Sequence, residues 1–180
     1  MGGLALNLRG SLRETHDVDV AVVCDMHTLR QSCMSHVRPW IRGNEGVCPS
    51  GATVWRTGWG TVGAGGFDIA SSGSLEAPEN LSGTTETIVT QTATGPRSYV
   101  VIDLLRHFQG KLGAFFIRNG KKDYEDFFFM CNRFFQQVGG FCGRLDLPQR
   151  EHFMEQYARE NQGSAMAARV KNMKLLLGLT

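Results

Sequence analysis

The sequence predicts an α/β (α+β) fold, a mixed β-sheet with helices packed against it. Three observations lead there. Short β-branched runs such as residues 18–24, VDVAVVC, alternate with helix-patterned segments through the first hundred residues. From residue 103 onward the period changes, and aromatic residues recur on helical stripes. A chain of 180 residues, 42% apolar and 20% charged, is also long enough to bury a sizeable core.

Residues 4–9, LALNLR, suit a short helix entered from the Gly2-Gly3 turn and stopped at Gly10. Residues 18–24 read as a buried strand. Residues 26–38, MHTLRQSCMSHVR, suit a helix with Asp25 as cap and Pro39 as stop. Residues 52–56, ATVWR, and 66–70, GFDIA, read as strands joined by the glycine-rich TGWGTVGAGG, a hairpin or wide loop. Residues 71–97, rich in Ser, Thr, Gly and Glu, predict an irregular surface segment with one candidate strand at 86–91. SYVVI, 98–102, is a further strand.

Along 103–118 a helical stripe carries Leu104, Leu105, Phe108, Leu112, Phe115 and Phe116. NGKK breaks it. A second helix over 122–138 turns Tyr124, Phe127, Phe128, Cys131, Phe134 and Phe135 inward, which makes an antiparallel helical hairpin. The tail, 149–177, is helical with an interruption at Gly163. The chain thus divides into a core at 1–102, a hairpin at 103–147 and a helical tail at 148–180.

Nineteen basic and 17 acidic residues leave a net charge of +2, which gives no whole-chain argument for nucleic-acid or membrane binding. No apolar run approaches the roughly 20 residues of a membrane span. The opening MGGLALNLRG is too short and lacks a basic leader for a signal peptide. The cysteines, Cys24, Cys33, Cys48, Cys131 and Cys142, are odd in number and never spaced C-x-x-C, so they read as reduced thiols of a cytoplasmic protein rather than zinc ligands.

The chemistry concentrates at Asp17-Val18-Asp19. Period-two alternation puts both aspartates on one side of their strand, where like charges repel unless a hard cation takes their oxygens. Asp68, in GFDIA, supplies a third carboxylate from another strand. Alone, a D-x-D is weak and can merely end a turn. The wider string GGLALNLRGSLRETHDVDVAV resembles the nucleotidyltransferase superfamily, in particular its AbiEii-like and minimal-nucleotidyltransferase branches. The resemblance lies in a Gly-Gly turn, here Gly2-Gly3, followed by Asp-hydrophobic-Asp-hydrophobic at Asp17–Val20, with Arg13 and Thr15 preceding the aspartates. A second stretch, similar to that family's C-terminal helix pair, presents Lys111, Leu112, Ala114, Arg118, Lys122, Asp123 and Asp126 in the same order.

The resemblance implies a nucleotidyltransferase-like sheet and the transfer of a nucleoside monophosphate from an NTP to a hydroxyl. Asp17, Asp19 and Asp68 would be catalytic residues and hold Mg²⁺ or Mn²⁺. Gly2, Gly3, Arg13, Lys111 and Arg118 would bind the nucleotide. Lys111 and Arg118, seven apart, share a helix face that is equally readable as a solvated basic face. Asp123 and Asp126 are expected to anchor their helix or pair with Arg118. The acceptor stays open between an RNA end, a protein side chain and a small molecule. The resemblance also implies a helix and strand before the glycine turn. That first core strand is expected to be missing here, which leaves a sheet edge for a second copy or a partner chain to cover. The other reading is a catalytically inactive or truncated member that binds nucleotide or serves as half of a toxin-antitoxin-like pair.

Overall fold

The computed structural model describes residues 2–15, 17–22, 28, 42–47, 53–58, 66–71 and 80–179. At 17, 18, 21, 22, 42–47, 53–58 and 66–71 the description is of the backbone. The helix expected at 26–38 lies outside the described residues, apart from Thr28. The chain forms two compact units, residues 1–103 and 104–180.

The first unit holds a short helix, α1 (Gly3–Leu8), and six strands: β1 (Asp17–Val22), β2 (Arg42–Val47), β3 (Thr53–Gly58), β4 (Gly66–Ser71), β5 (Thr85–Thr92) and β6 (Gly95–Ile102). Four of them make one sheet in the order β1-β4-β3-β2. β2 and β3, and β3 and β4, pair antiparallel, and β1 joins β4 in parallel. The sheet is therefore mixed, as the alternation of strand and helix patterns predicts.

β2 was not legible in the sequence. Its residues, RGNEGV, include two glycines, an asparagine and a glutamate, all poor strand formers. It is a strand because all six residues pair with β3, from Arg42↔Gly58 to Val47↔Thr53.

In the segment expected to be irregular, 71–97, the candidate strand at 86–91 is present and longer than expected, and the strand expected at 98–102 begins earlier, at Gly95. The segment contains β5 and the first residues of β6, eight residues each, paired from Thr85↔Ile102 to Thr92↔Gly95. The polar composition that suggested a loop reflects a ribbon wet on one face: Val89 and Val100 share that face and are 60% and 74% exposed, while Ile88 and Val101 on the other are half-buried. Arg9, just after α1, fastens this ribbon at its base. Its guanidinium donates to the Ile102 carbonyl at 2.6 Å and to Glu86 Oε1 at 2.5 Å. Burial lowers the Arg9 pKa from its ordinary value, and Glu86 acts in the opposite direction.

The second unit is helical: α2 (Leu104–Arg118), α3 (Lys121–Arg133), α4 (Phe135–Phe141), a 3₁₀ turn at Cys142–Arg144, α5 (Leu147–Glu160) and α6 (Ser164–Leu176). On α2, Leu105, Phe108, Leu112 and Phe115 are buried at i, i+3, i+7 and i+10, as the stripe predicts. Phe116 is not part of it. One residue past Phe115 is about 100° round the helix, and its ring is 44% exposed.

The helical hairpin turns in two residues, Asn119 and Gly120, with Asn119 left-handed at φ 48°. The second helix is shorter than the expected 122–138. It ends at Arg133, and Phe134 (φ −120°, ψ 31°) re-aims the chain into α4. That break turns Phe135 outward, 58% exposed, and buries Val138 instead.

Asp146 caps α5 by accepting the Gln149 amide at 3.0 Å, with Pro148 in the first turn, where a missing N–H costs nothing. The α5 aromatic residues complete a ring cluster with α2 and α3. Phe153 lies 4.7 Å from Phe127 and 5.2 Å from Tyr124 between ring centres, and Phe108 meets Phe127 edge-on at 5.6 Å. Gly163, at φ 100°, supplies the interruption expected in the tail. Arg150 closes the end of α6 by donating to the Leu177 carbonyl at 2.6 Å.

Candidate functional site

β1 opens with the two aspartates because the β-branched residues at 18, 20 and 22 alternate with positions 17, 19 and 21. The parallel register then pairs Asp17 with Gly66 and Asp19 with Asp68. Residues directly paired across a sheet stand on the same face. The three aspartates singled out in the sequence therefore occupy one face of adjoining strands. Asp19 and Asp68, 49 positions apart in sequence, are separated by a single strand spacing. The Asp19 side chain is exposed to solvent.

The glycine turn comes to the same place. Gly2 caps the start of α1 in extended conformation (φ −86°, ψ −167°). A Cβ added to it would overlap the Asp19 carboxylate and lie 3.0 Å from the Asp19 Cβ. At Gly3 a Cβ would run into the Thr15 hydroxyl, 2.6 Å from the Thr15 Cβ, and approach the Arg13 guanidinium at 3.2 Å. Real Cβ atoms do not come so close to other heavy atoms. The pair is glycine because the backbone passes against the acidic strand and the segment leading into it. Gly2, Gly3, Arg13, Thr15 and Asp19 are thus one cluster, with Asp17 and Asp68 at neighbouring register positions.

Lys111 and Arg118 belong to the helical unit. Lys111 is no solvated base: it is 8% exposed, and its ammonium donates to Asp126 Oδ2 at 2.8 Å, with Asp126 3% exposed. Arg118, at the end of α2, grips Asp123 with two parallel bonds, Nε to Oδ2 at 3.0 Å and Nη2 to Oδ1 at 2.6 Å. The expected Arg118 pairing with Asp123 is present. Asp126, one turn further along α3, accepts from Lys111 across the hairpin.

Two groups of the helical core have displaced protonation. Burial pushes the Cys131 thiol up, and burial followed by a hydrogen bond to Glu160 pushes the Tyr124 phenol up. Both serve the core rather than a site. Among the described residues, no three His, Cys, Asp or Glu side chains group as a metal cage; the side chains at 17 and 68 are outside that description. No helix of the described residues is long and apolar enough to cross a membrane.

Neither a protein-family model, nor a curated protein, nor a solved structure matches the chain. The functional reading rests on the chain's own residues and their arrangement.

Proposed function

We propose that this chain is a metal-dependent nucleotidyltransferase that moves a nucleoside monophosphate from an NTP to a hydroxyl acceptor. The observation that carries the reading is the Asp19↔Asp68 register, which adds a third carboxylate to the D-x-D pair. The contact of Gly2 with Asp19 supports it: a bare backbone beside the carboxylates is what close approach of a phosphate needs.

In this reading the acceptor oxygen attacks the α-phosphorus. A new P–O bond forms, the bond to the bridging oxygen breaks, and pyrophosphate leaves with that electron pair. Asp68 takes the acceptor proton. Asp17, Asp19 and Asp68 offer hard oxygen donors that suit Mg²⁺ or Mn²⁺. When bound, such a cation neutralises charge on the phosphate oxygens. The Gly2-Gly3 backbone and Arg13 would hold the phosphates.

The test is thermal stability of the chain with each of the four ribonucleoside triphosphates and Mg²⁺, alongside Asp17→Asn/Asp19→Asn. A ligand at about a hundred times its Kd stabilises by roughly 2.7 kcal/mol, a visible shift of the midpoint. The reading expects a shift that requires both Mg²⁺ and the aspartates. A folded wild-type chain that shifts with no nucleotide would favour the inactive interaction-module reading.

A further inference from the structure

The registers of the four-stranded sheet extend the carboxylate row beyond Asp68. Asp68 pairs with Arg56 of β3, and Arg56 pairs with Asn44 of β2, so one row reads Asp19, Asp68, Arg56, Asn44. The row beside it reads Asp17, Gly66, Gly58, Arg42. The remaining positions of this face are Ala21, Ala70, Val54 and Gly46. The opposite face is mostly apolar, with Val18, Val20, Phe67, Ile69 and Trp55, and also carries Thr57, Ser71 and Glu45, the last paired with Trp55. On the first face three aspartates and two arginines stand at fixed register positions among glycines, alanines, Asn44 and Val54.

We infer that Arg56 is a nucleotide-binding residue that makes metal binding depend on the nucleotide's phosphates. The inference rests on the nucleotidyltransferase reading and adds a residue and an order of events to it. Directly opposed cross-strand positions have Cβ atoms about 5 Å apart, so Arg56 stands beside Asp68 and two strand spacings, about 10 Å, from Asp19.

A permanent cation at that distance opposes a second cation on the same carboxylates. A metal ion arriving alone therefore meets repulsion. A metal ion arriving with a polyphosphate brings the anion that a guanidinium recognises best, through paired N–H donors. The same arginine thus weakens the bare metal and strengthens the metal-nucleotide pair. Lysine at this position would keep the charge and lose the paired donors.

The experiment titrates wild type, Arg56→Ala, Arg56→Lys and Asp19→Asn with Mn²⁺ alone, and with each ribonucleoside triphosphate in saturating Mn²⁺. Far-UV circular dichroism and melting confirm which variants are folded. In Arg56→Ala the triphosphate Kd should rise on the order of tenfold, while Mn²⁺ alone should bind several times more tightly. Arg56→Lys, which also covers the event that the alanine variant does not fold, should hold Mn²⁺ as the wild type does and recover part of the triphosphate affinity. A structural role alone cannot move the two affinities in opposite directions. Unchanged triphosphate affinity in a folded Arg56 variant, or weakening of both ligands together, overturns the inference. If wild-type binding still requires Asp19 in that event, the nucleotidyltransferase reading stands. Absence of metal-dependent triphosphate binding in the wild type overturns both.

Discussion

Gly2 is the residue at which the site is most sensitive to a single methyl group. Alanine there needs the volume that the Asp19 carboxylate occupies, so the carboxylate must move. Displacing a reacting group by about 1 Å can cost on the order of a hundredfold in rate. Gly2→Ala should therefore abolish metal-dependent nucleotide binding or turnover while the melting temperature of the chain changes little; calorimetric titration with Mg²⁺ and NTP checks it. A second residue-level prediction concerns alkaline pH. Cys131 and Tyr124 stay protonated in the folded chain where they would ionise in the unfolded one, since burial raises both. Their contribution is complete below the ordinary thiol value of 9.0 and is lost as pH rises beyond it. Melting temperatures between about pH 8 and 11 should fall, and fall less steeply in Cys131→Ala/Tyr124→Phe.

At the scale of elements, the α2–α3 hairpin encloses an ion pair that is costly to break singly. Asp126→Ala would leave the Lys111 ammonium buried without that carboxylate, a change worth about 3–5 kcal/mol. Replacing both, as Lys111→Met/Asp126→Leu, should come close to the wild-type melting temperature, because the pair's own attraction largely repays its desolvation. The cap of α5 is a smaller term: Asp146→Ala should cost about 1 kcal/mol, read from urea unfolding. What the sequence revealed about elements follows from what makes each of them. The stripe of Leu105, Phe108, Leu112 and Phe115 is local periodicity, so α2 was readable. So was β1, whose valines alternate with aspartates. β2 was not, because RGNEGV is a strand only through its partner. The break at Phe134 lies inside an unbroken aromatic run that a helical pattern fits on both sides. The same division holds at the candidate site. Asp17, Asp19 and Asp68 were visible as residue types in strands, whereas the place of Arg56 beside them depends on register, which no single segment encodes.

At the scale of the molecule, the two units carry different optical signals. Trp40, Trp55 and Trp59 all belong to residues 1–103. Of the described helical residues, nearly all outside α1 belong to the other unit. Tryptophan fluorescence therefore follows the sheet unit, and circular dichroism at about 222 nm chiefly follows the helical one. Urea titration read by both should give transitions that do not coincide, the mark of units that lose structure separately. The order of loss bears on function. A nucleotide that binds the carboxylate face should move the fluorescence transition to higher urea and leave the dichroism transition nearly unchanged.

The ribbon of β5 and β6 also bears on how this protein can be handled. Its base is fastened by Arg9 to the Ile102 carbonyl and Glu86, while its far end turns through Ala93 and Thr94, both exposed, into Gly95 at φ 107°. Seven ladder steps separate the fastened end from the tip. A few foreign residues spliced between Ala93 and Thr94 would neither meet buried groups nor break the ladder. That tip is a natural point of attachment for a fluorophore, an affinity epitope or a surface tether. A label there leaves both Gly2-Gly3 and the carboxylate strand unmodified, so a labelled chain can report on nucleotide capture without altering the residues that would perform it.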